Sequence, residues 1–227
     1  MRAKEFVEIV RQELVPCANR VEAKAMAKYM KNKFSFLGIK KPICVEKTKL
    51  VFNEVKSDLT SDLIIEIMKL FWKLEHREYQ YVGLNLQKKY KKFLDKSAFK
   101  KLEYFVVNKS WWDTVDGLSV HAYGALILKY PELKSEMENL LTSENLWLRR
   151  VSIIHQLGFK NATDIEFLER ACKTCMHESD FFIRKAIGWA LRDYSRTNPD
   201  FVINFVQQND KFLSGLSKRE ATRLINN

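Results

Sequence analysis

Glycine and proline are scarce in this sequence, with 7 and 4 in 227 residues. A chain of many strands needs both in quantity to make its turns, so an all-β protein is excluded. No apolar run approaches the roughly 18 residues of a membrane span, because a charged or polar residue interrupts each one. The four cysteines (Cys17, Cys44, Cys172, Cys175) are too sparse for a disulfide framework, and no apolar signal segment follows the charged start Met1-Arg2-Ala3-Lys4-Glu5. A soluble protein of a reducing cytoplasm is expected. The sequence has neither a phosphate-binding glycine loop nor a nucleophile elbow, which disfavours hydrolysis of nucleotides and esters. His76, His121 and His155 form no metal-ligand spacing, and His155 reads as a satisfied helix residue. What is abundant is positive charge: 39 Lys and Arg against 28 Asp and Glu, a formal +11. A polyanion, either nucleic acid or an anionic membrane surface, is the natural partner of such a chain.

Apolar residues recur at three- and four-residue spacing from Phe6, Ile9, Val10 and Leu14 onward, the pattern of amphipathic helices. Pro16 ends the first. Further helices are expected over about 21–32, 42–55, 77–94, 97–107 and 111–130, with Ser57, Asp58 and Thr60 as cap candidates for one whose face is Leu63, Ile64, Ile67, Leu70 and Phe71. Pro131 opens another, and Asn145 to Leu157 closes at Gly158. Thr163 to Glu166 and Ser217 to Glu220 have capping-box spacing, and Asn198-Pro199 reads as an N-cap with proline after it. The sum is an all-α chain of about a dozen helices. Successive antiparallel pairs suggest a curved solenoid of HEAT-like helix pairs, with a compact bundle as the other architecture. No Ser/Gly-rich linker marks a boundary, so residues 1–227 are read as one domain.

Three segments carry candidate chemistry, each with a plainer reading beside it. In Lys109-Ser110-Trp111-Trp112-Asp113-Thr114-Val115-Asp116-Gly117, a helix places Trp112 and Asp116 one turn apart on one face. They are either an indole and a carboxylate presented together, or a core Trp with helix-start acids. Aromatic residues interleave with arginine in Asn145-Leu146-Trp147-Leu148-Arg149-Arg150 and in Phe181-Phe182-Ile183-Arg184-Lys185-Ala186-Ile187-Gly188-Trp189-Ala190-Leu191-Arg192. This suits base stacking plus phosphate contact, and suits equally a core face backed by a solvated one. Cys172 and Cys175 with His177 lack the fourth ligand of a structural zinc site and read as packed helical thiols. The basic run Gln87-Lys88-Lys89-Tyr90-Lys91-Lys92 reads as a solvated helix face as readily as a phosphate contact.

These residues resemble the HEAT-like-repeat alkylpurine DNA glycosylases, the AlkD-like DNA alkylation repair enzymes. The resemblance runs from Ala3-Lys4-Glu5-Phe6 through Phe36-Leu37-Gly38-Ile39-Lys40, Tyr79-Gln80-Tyr81-Val82, Ser110 to Asp116 and Lys185 to Arg192, ending at Leu216-Ser217-Lys218-Arg219-Glu220-Ala221. It implies that Asp116 and Trp112 are the catalytic pair, Arg150 the cleft arginine and Trp189 a second cleft tryptophan. Tyr29, Phe181 and Phe182 match aromatic positions near the same cleft, and Lys40, Lys41, Arg184 and Arg192 join Arg150 as expected DNA contacts. The sequence departs from the family at Ile43-Cys44-Val45-Glu46, where relatives tend to carry arginine, and at Gly158, where a basic residue is expected and Lys160 stands close by.

The implied activity is monofunctional hydrolysis of the N-glycosidic bond of cationic N3- and N7-alkylated purines in duplex DNA, without metal or organic cofactor. The lesion is implied to stay near the duplex while the enzyme works from the backbone side. A monomer in the cytoplasm, associated with the nucleoid and not with a membrane, is expected. The alternative is a non-catalytic HEAT-like module binding damaged or branched DNA, or a protein partner, through the same surface.

Overall fold

The computed structural model describes residues 1–225, and among them every regular element is helical. The chain divides into two compact units, the first over Met1–Lys109 and the second beginning at Ser110. The first holds α1 (Ala3–Leu14), α2 (Arg20–Tyr29), α3 (Lys41–Glu54), α4 (Ser61–Lys73), α5 (Arg77–Lys89) and α6 (Ala98–Val107). Phe6, Val7, Val10 and Leu14 give α1 a buried stripe that packs on α3 and α4. Phe6 meets Phe52 and Phe71 with ring centroids 5.9 and 6.2 Å apart. Thr60 caps α4, its hydroxyl accepting from the Leu63 amide at 3.1 Å.

A buried carboxylate organises the irregular stretch between α2 and α3. Glu78, fully buried in the first turn of α5, accepts from the backbone N–H groups of Leu37, Gly38 and Ile39 at 3.0, 2.8 and 3.1 Å. Three amides that no helix or sheet satisfies thus find one acceptor. The turn requires Gly38, whose φ is +85° and where a Cβ would lie 2.0 Å from the Asn19 carbonyl oxygen. Beside Glu78, the fully buried Arg77 donates to the Lys109 carbonyl at 2.8 Å and lies 3.8 Å from the centre of the Phe34 ring.

The second unit holds α7 (Trp112–Leu118), α8 (Gly124–Lys129), α9 (Lys134–Leu141), α10 (Leu146–Ile154), α11 (Ile165–Cys175), α12 (Phe181–Tyr194), α13 (Pro199–Gln208) and α14 (Gly215–Thr222). Helix α10 is its centre and packs on α7, α9, α11 and α12. Some helices end earlier than expected, α5 at Lys89 and α10 at Ile154 among them, and three further differences lie in this unit. The helix expected over 111–130 is interrupted by a π-helical turn over Ser119–Tyr123, where the Ser119 hydroxyl donates back to the Val115 carbonyl at 2.7 Å. The cap of α11 is Asp164, accepting from the Phe167 amide, and not Thr163. The cap of α14 is Ser214, which leaves Ser217 inside the helix, where its hydroxyl donates to the Arg184 carbonyl on α12. Asn198 caps α13 as expected, and Gly158 is left-handed at φ +84°.

Cys172 and Cys175 are buried in α11 packing, and burial pushes both thiols up, Cys175 to about 12. They are thiols at neutral pH, neither nucleophiles nor ready ligands. His155 is a buried core residue with Nδ1 2.7 Å from the Ser152 carbonyl and its ring edge-on to Phe167 and Phe159.

Candidate active site

The second unit gathers most of the residues singled out in the sequence. Because α7 is helical through both, Trp112 and Asp116 share one face a single turn apart. Asp116 meets Arg150 of α10 in a two-pronged ion pair, with Nε 2.7 Å from one carboxylate oxygen and Nη2 2.8 Å from the other. The third nitrogen, Nη1, donates to the carbonyl of Phe182 in the first turn of α12. One guanidinium therefore ties α7, α10 and α12 together, and its planar fork suits that geometry where an ammonium would not.

The two partners are unequally exposed. The Arg150 side chain is 3% accessible and that of Asp116 16%, so the carboxylate keeps an open side while its counter-ion does not. Burial pushes the Asp116 carboxyl above its ordinary value. The hydrogen bonds and charge of Arg150 pull it down without cancelling that effect, and Asp113 nearby adds a smaller upward push.

Aromatic rings gather at the side chain of Phe182. Trp111, Trp147 and Phe182 meet in a cluster with centroids 5.8, 4.9 and 4.9 Å apart, and Phe181 packs edge-on to Phe182 while being mostly exposed itself. Asp180 fixes this end of α12 by accepting from the Phe182 and Ile183 amides at 2.7 and 3.2 Å. Arg149 holds the preceding turn through a two-pronged pair with Glu178 at 2.9 and 2.6 Å, and Arg184 donates to the Glu178 carbonyl. Arg184 and Arg149 are thus engaged in shaping the turn before α12.

Trp189 lies seven residues beyond Phe182, on the same face of α12 and about 10 Å further along its axis. It stands between Lys185 and Arg192, which both pair with Glu220 of α14 at 2.6 Å. Gly188 permits this: a Cβ there would lie 2.5 Å from Cβ of Glu220 and 2.9 Å from the Ser217 carbonyl oxygen, so only glycine lets α14 approach. In the first unit, Tyr29 ends α2 with its side chain largely exposed, Lys40 precedes α3 and pairs with Glu22 at 2.9 Å, and Lys41 is exposed in its first turn. Tyr29 borders a small apolar notch with Met26, Met30, Phe36 and Tyr81.

Sequence reasoning assigned no site role to Trp111, Trp147, Glu178 or Glu220. The two tryptophans stood inside segments already marked as aromatic and basic. Glu178 carried no signal and Glu220 only that of a capping box, since pairing between helices far apart in sequence leaves no spacing to read. Among the described residues no group of three or more His, Cys, Asp or Glu side chains is placed to hold a metal ion, and no helix is long and apolar enough to cross a membrane.

No curated protein matches the chain. Among solved structures, a predicted DNA alkylation repair enzyme from Enterococcus faecalis is similar, with a TM-score of 0.85 and 29% identity over 92% of this chain and 96% of that one. The family model of the DNA alkylation repair enzymes matches residues 10–225, a span that takes in both the Glu78-clamped turn and the Asp116–Arg150 pair. With nearly the whole chain inside that match and its helices laid out like those of a relative, the protein belongs to the DNA alkylation repair enzyme family, whose partner is DNA.

Proposed function

We propose that this protein is a monofunctional DNA glycosylase that releases cationic N3- and N7-alkylated purines from duplex DNA. The observation that carries the reading is Asp116: a half-open carboxylate, gripped by a buried arginine and sharing a helix face with Trp112.

The chemistry asks for such a group. An alkylated purine of this kind already bears a positive charge, so it departs as a neutral base without a general acid. Cleavage of the glycosidic bond leaves the positive charge on the sugar, which becomes oxocarbenium-like at C1′. A carboxylate nearby stabilises that charge and orients a water, which bonds to C1′ and gives up one proton, leaving an abasic site. Partial burial strengthens the attraction, because the same two charges interact more strongly where water is scarce. Arg150 acts on Asp116, fixing its orientation and favouring its ionised form. With all its nitrogen types already engaged in the free protein, its role is to position the carboxylate and not primarily to grip a phosphate. The indole faces of Trp112 and Trp189 are read as partners of the cationic nucleotide, an interaction worth roughly 0.5–2 kcal/mol each. A lesion held at such a half-open site need not enter a deep pocket, so bulky adducts are substrates along with methyl ones. Residues 1–227 act as one functional domain in this reading.

The test is release of free alkylated purine from methylated duplex DNA by the wild type and Asp116→Asn, measured side by side with chelator present. Release by the wild type, without strand nicking until alkali is added, and a loss of about 100- to 1,000-fold in the variant are expected. No release by either protein, with duplex binding intact, returns Asp116 to a structural role and makes the protein a non-catalytic DNA-binding module.

A further inference from the structure

A groove of about 400 Å³ opens beside Trp189, lined by Arg192, Asp193, Arg196, Arg223 and Leu224. Three guanidiniums face one carboxylate there, and the walls are polar apart from the indole and one leucine. Such a lining rejects an apolar ligand and favours an anion with several acceptor oxygens.

The three arginines are not equivalent. Arg192 is held by Glu220 at 2.6 Å, and that carboxylate is itself shared with Lys185. Arg196 is exposed and reaches its nearest carboxylate, on Asp193, only at 3.9 Å, beyond hydrogen-bonding distance. Arg223 is exposed at the C-terminal end of α14. Asp193 is engaged elsewhere, accepting from the Gly158 amide at 2.7 Å, which turns one of its oxygens away from the arginines.

We propose that this groove is a seat for a backbone phosphodiester of duplex DNA, with Arg196 and Arg223 as the cations that meet it. The seat rests on the proposed function, in which Trp189 faces the duplex. Glu220 offsets one of the two charges of Lys185 and Arg192, and Arg196 and Arg223 stand outside that pairing at the rim, where a strand can reach them. A free nucleotide offers the same phosphate chemistry, but the groove has a single ring wall and no second surface to enclose a base. It fits a strand passing through better than a small molecule held within.

The test is equilibrium binding of an undamaged duplex, followed by fluorescence anisotropy between 50 and 200 mM salt. Arg196→Gln/Arg223→Gln is compared with the wild type and with Arg170→Gln/Lys173→Gln, a charge-matched control on exposed positions of α11. The rim variant should bind more weakly, and its slope of log affinity against log salt should be shallower by about 1.8, or about 0.9 for each phosphate no longer neutralised. Its deficit therefore shrinks about tenfold across that salt range. The control should keep the wild-type slope. An unchanged slope in the rim variant, or an equal change in the control, overturns the seat. Deoxyadenosine monophosphate, followed by its phosphorus line width, separates the two sources of phosphate. Broadening by the wild type that is absent with the rim variant, with duplex affinity equal in both, assigns the groove to a free nucleotide and also overturns it. Binding to undamaged DNA requires no excision, so this outcome is independent of the Asp116→Asn result.

Discussion

Each unit contains a carboxylate that matters, and the two are held in different ways. In the first, Glu78 is fully buried and bound by three backbone amides of one turn, donors that cannot swing away. In the second, Asp116 is bound by a side chain, keeps 16% of its surface open, and lies next to a ring cluster. Fixed amides on a closed carboxylate make a structural joint. A guanidinium behind a half-open carboxylate stabilises its charge while leaving an edge to face something else, which is what a group that must meet a developing cation needs. Burial alone therefore does not mark a functional acid, whereas a buried counter-ion combined with an open edge does.

Breaking the first joint should give the largest effect. Glu78→Ala strands three amides in a buried turn and should cost about 3–5 kcal/mol of unfolding free energy, read as a shifted denaturation midpoint. Asp116→Asn, which keeps shape and an acceptor, should cost less stability than Glu78→Ala while cutting excision about 100- to 1,000-fold; the reverse order would erase the distinction between joint and site. Buried His155 sharpens the view of the second unit's core. Its pKa is held down at about 4 by burial, against an ordinary 6.5, so below pH 6.5 the unfolded chain takes up a proton that the folded one refuses. Stability should be level above pH 6.5 on this account and fall by roughly 3 kcal/mol as pH drops to 4, with a shallower fall in His155→Gln.

Smaller effects probe the counter-ion and the ring. Arg150→Lys keeps the charge and loses the fork, and should lower excision about 10- to 100-fold through misplacement of Asp116. The pH profile is the decisive readout. Asp116 must be ionised and its carboxyl is already raised, so activity should fall on the acid side at a pH above the usual carboxylate range, and this limb should move higher still in Arg150→Lys. Trp189→Leu should cost about 2- to 30-fold on cationic lesions, the equivalent of one cation–π interaction.

Much of the helical order was legible because local chemistry decides it. Pro16 after α1, and Thr60 and Asn198 as caps, each act within four residues of themselves. The placement of Trp112 and Asp116 on one face was legible for the same reason, since helical spacing alone fixes it. The π turn at Ser119–Tyr123 was not, because one extra residue leaves apolar spacing of three and four intact on both sides. Asp164 and Thr163, or Ser214 and Ser217, are chemically interchangeable as caps, and the tertiary position of the helix chose between them. The partner of Arg150 lies 34 residues away on another helix, a pairing that no local pattern encodes. The same holds for Glu220, whose capping-box spacing concealed an ion-pair role.

The approach that Gly188 allows has a mechanical consequence. Helices α12 and α14 are fastened at four successive points, from the Arg184 carbonyl through Lys185 and Gly188 to Arg192, so they behave as a single stiff plate and not as two sliding rods. Trp189 is mounted on that plate. Proteolytic nicking in the turn between Asn209 and Leu213, followed by departure of α14, would leave every residue of α12 in place and yet free Lys185, Gly188 and Arg192 from their partners, so the helix that carries this ring is braced by one that follows it by some thirty residues.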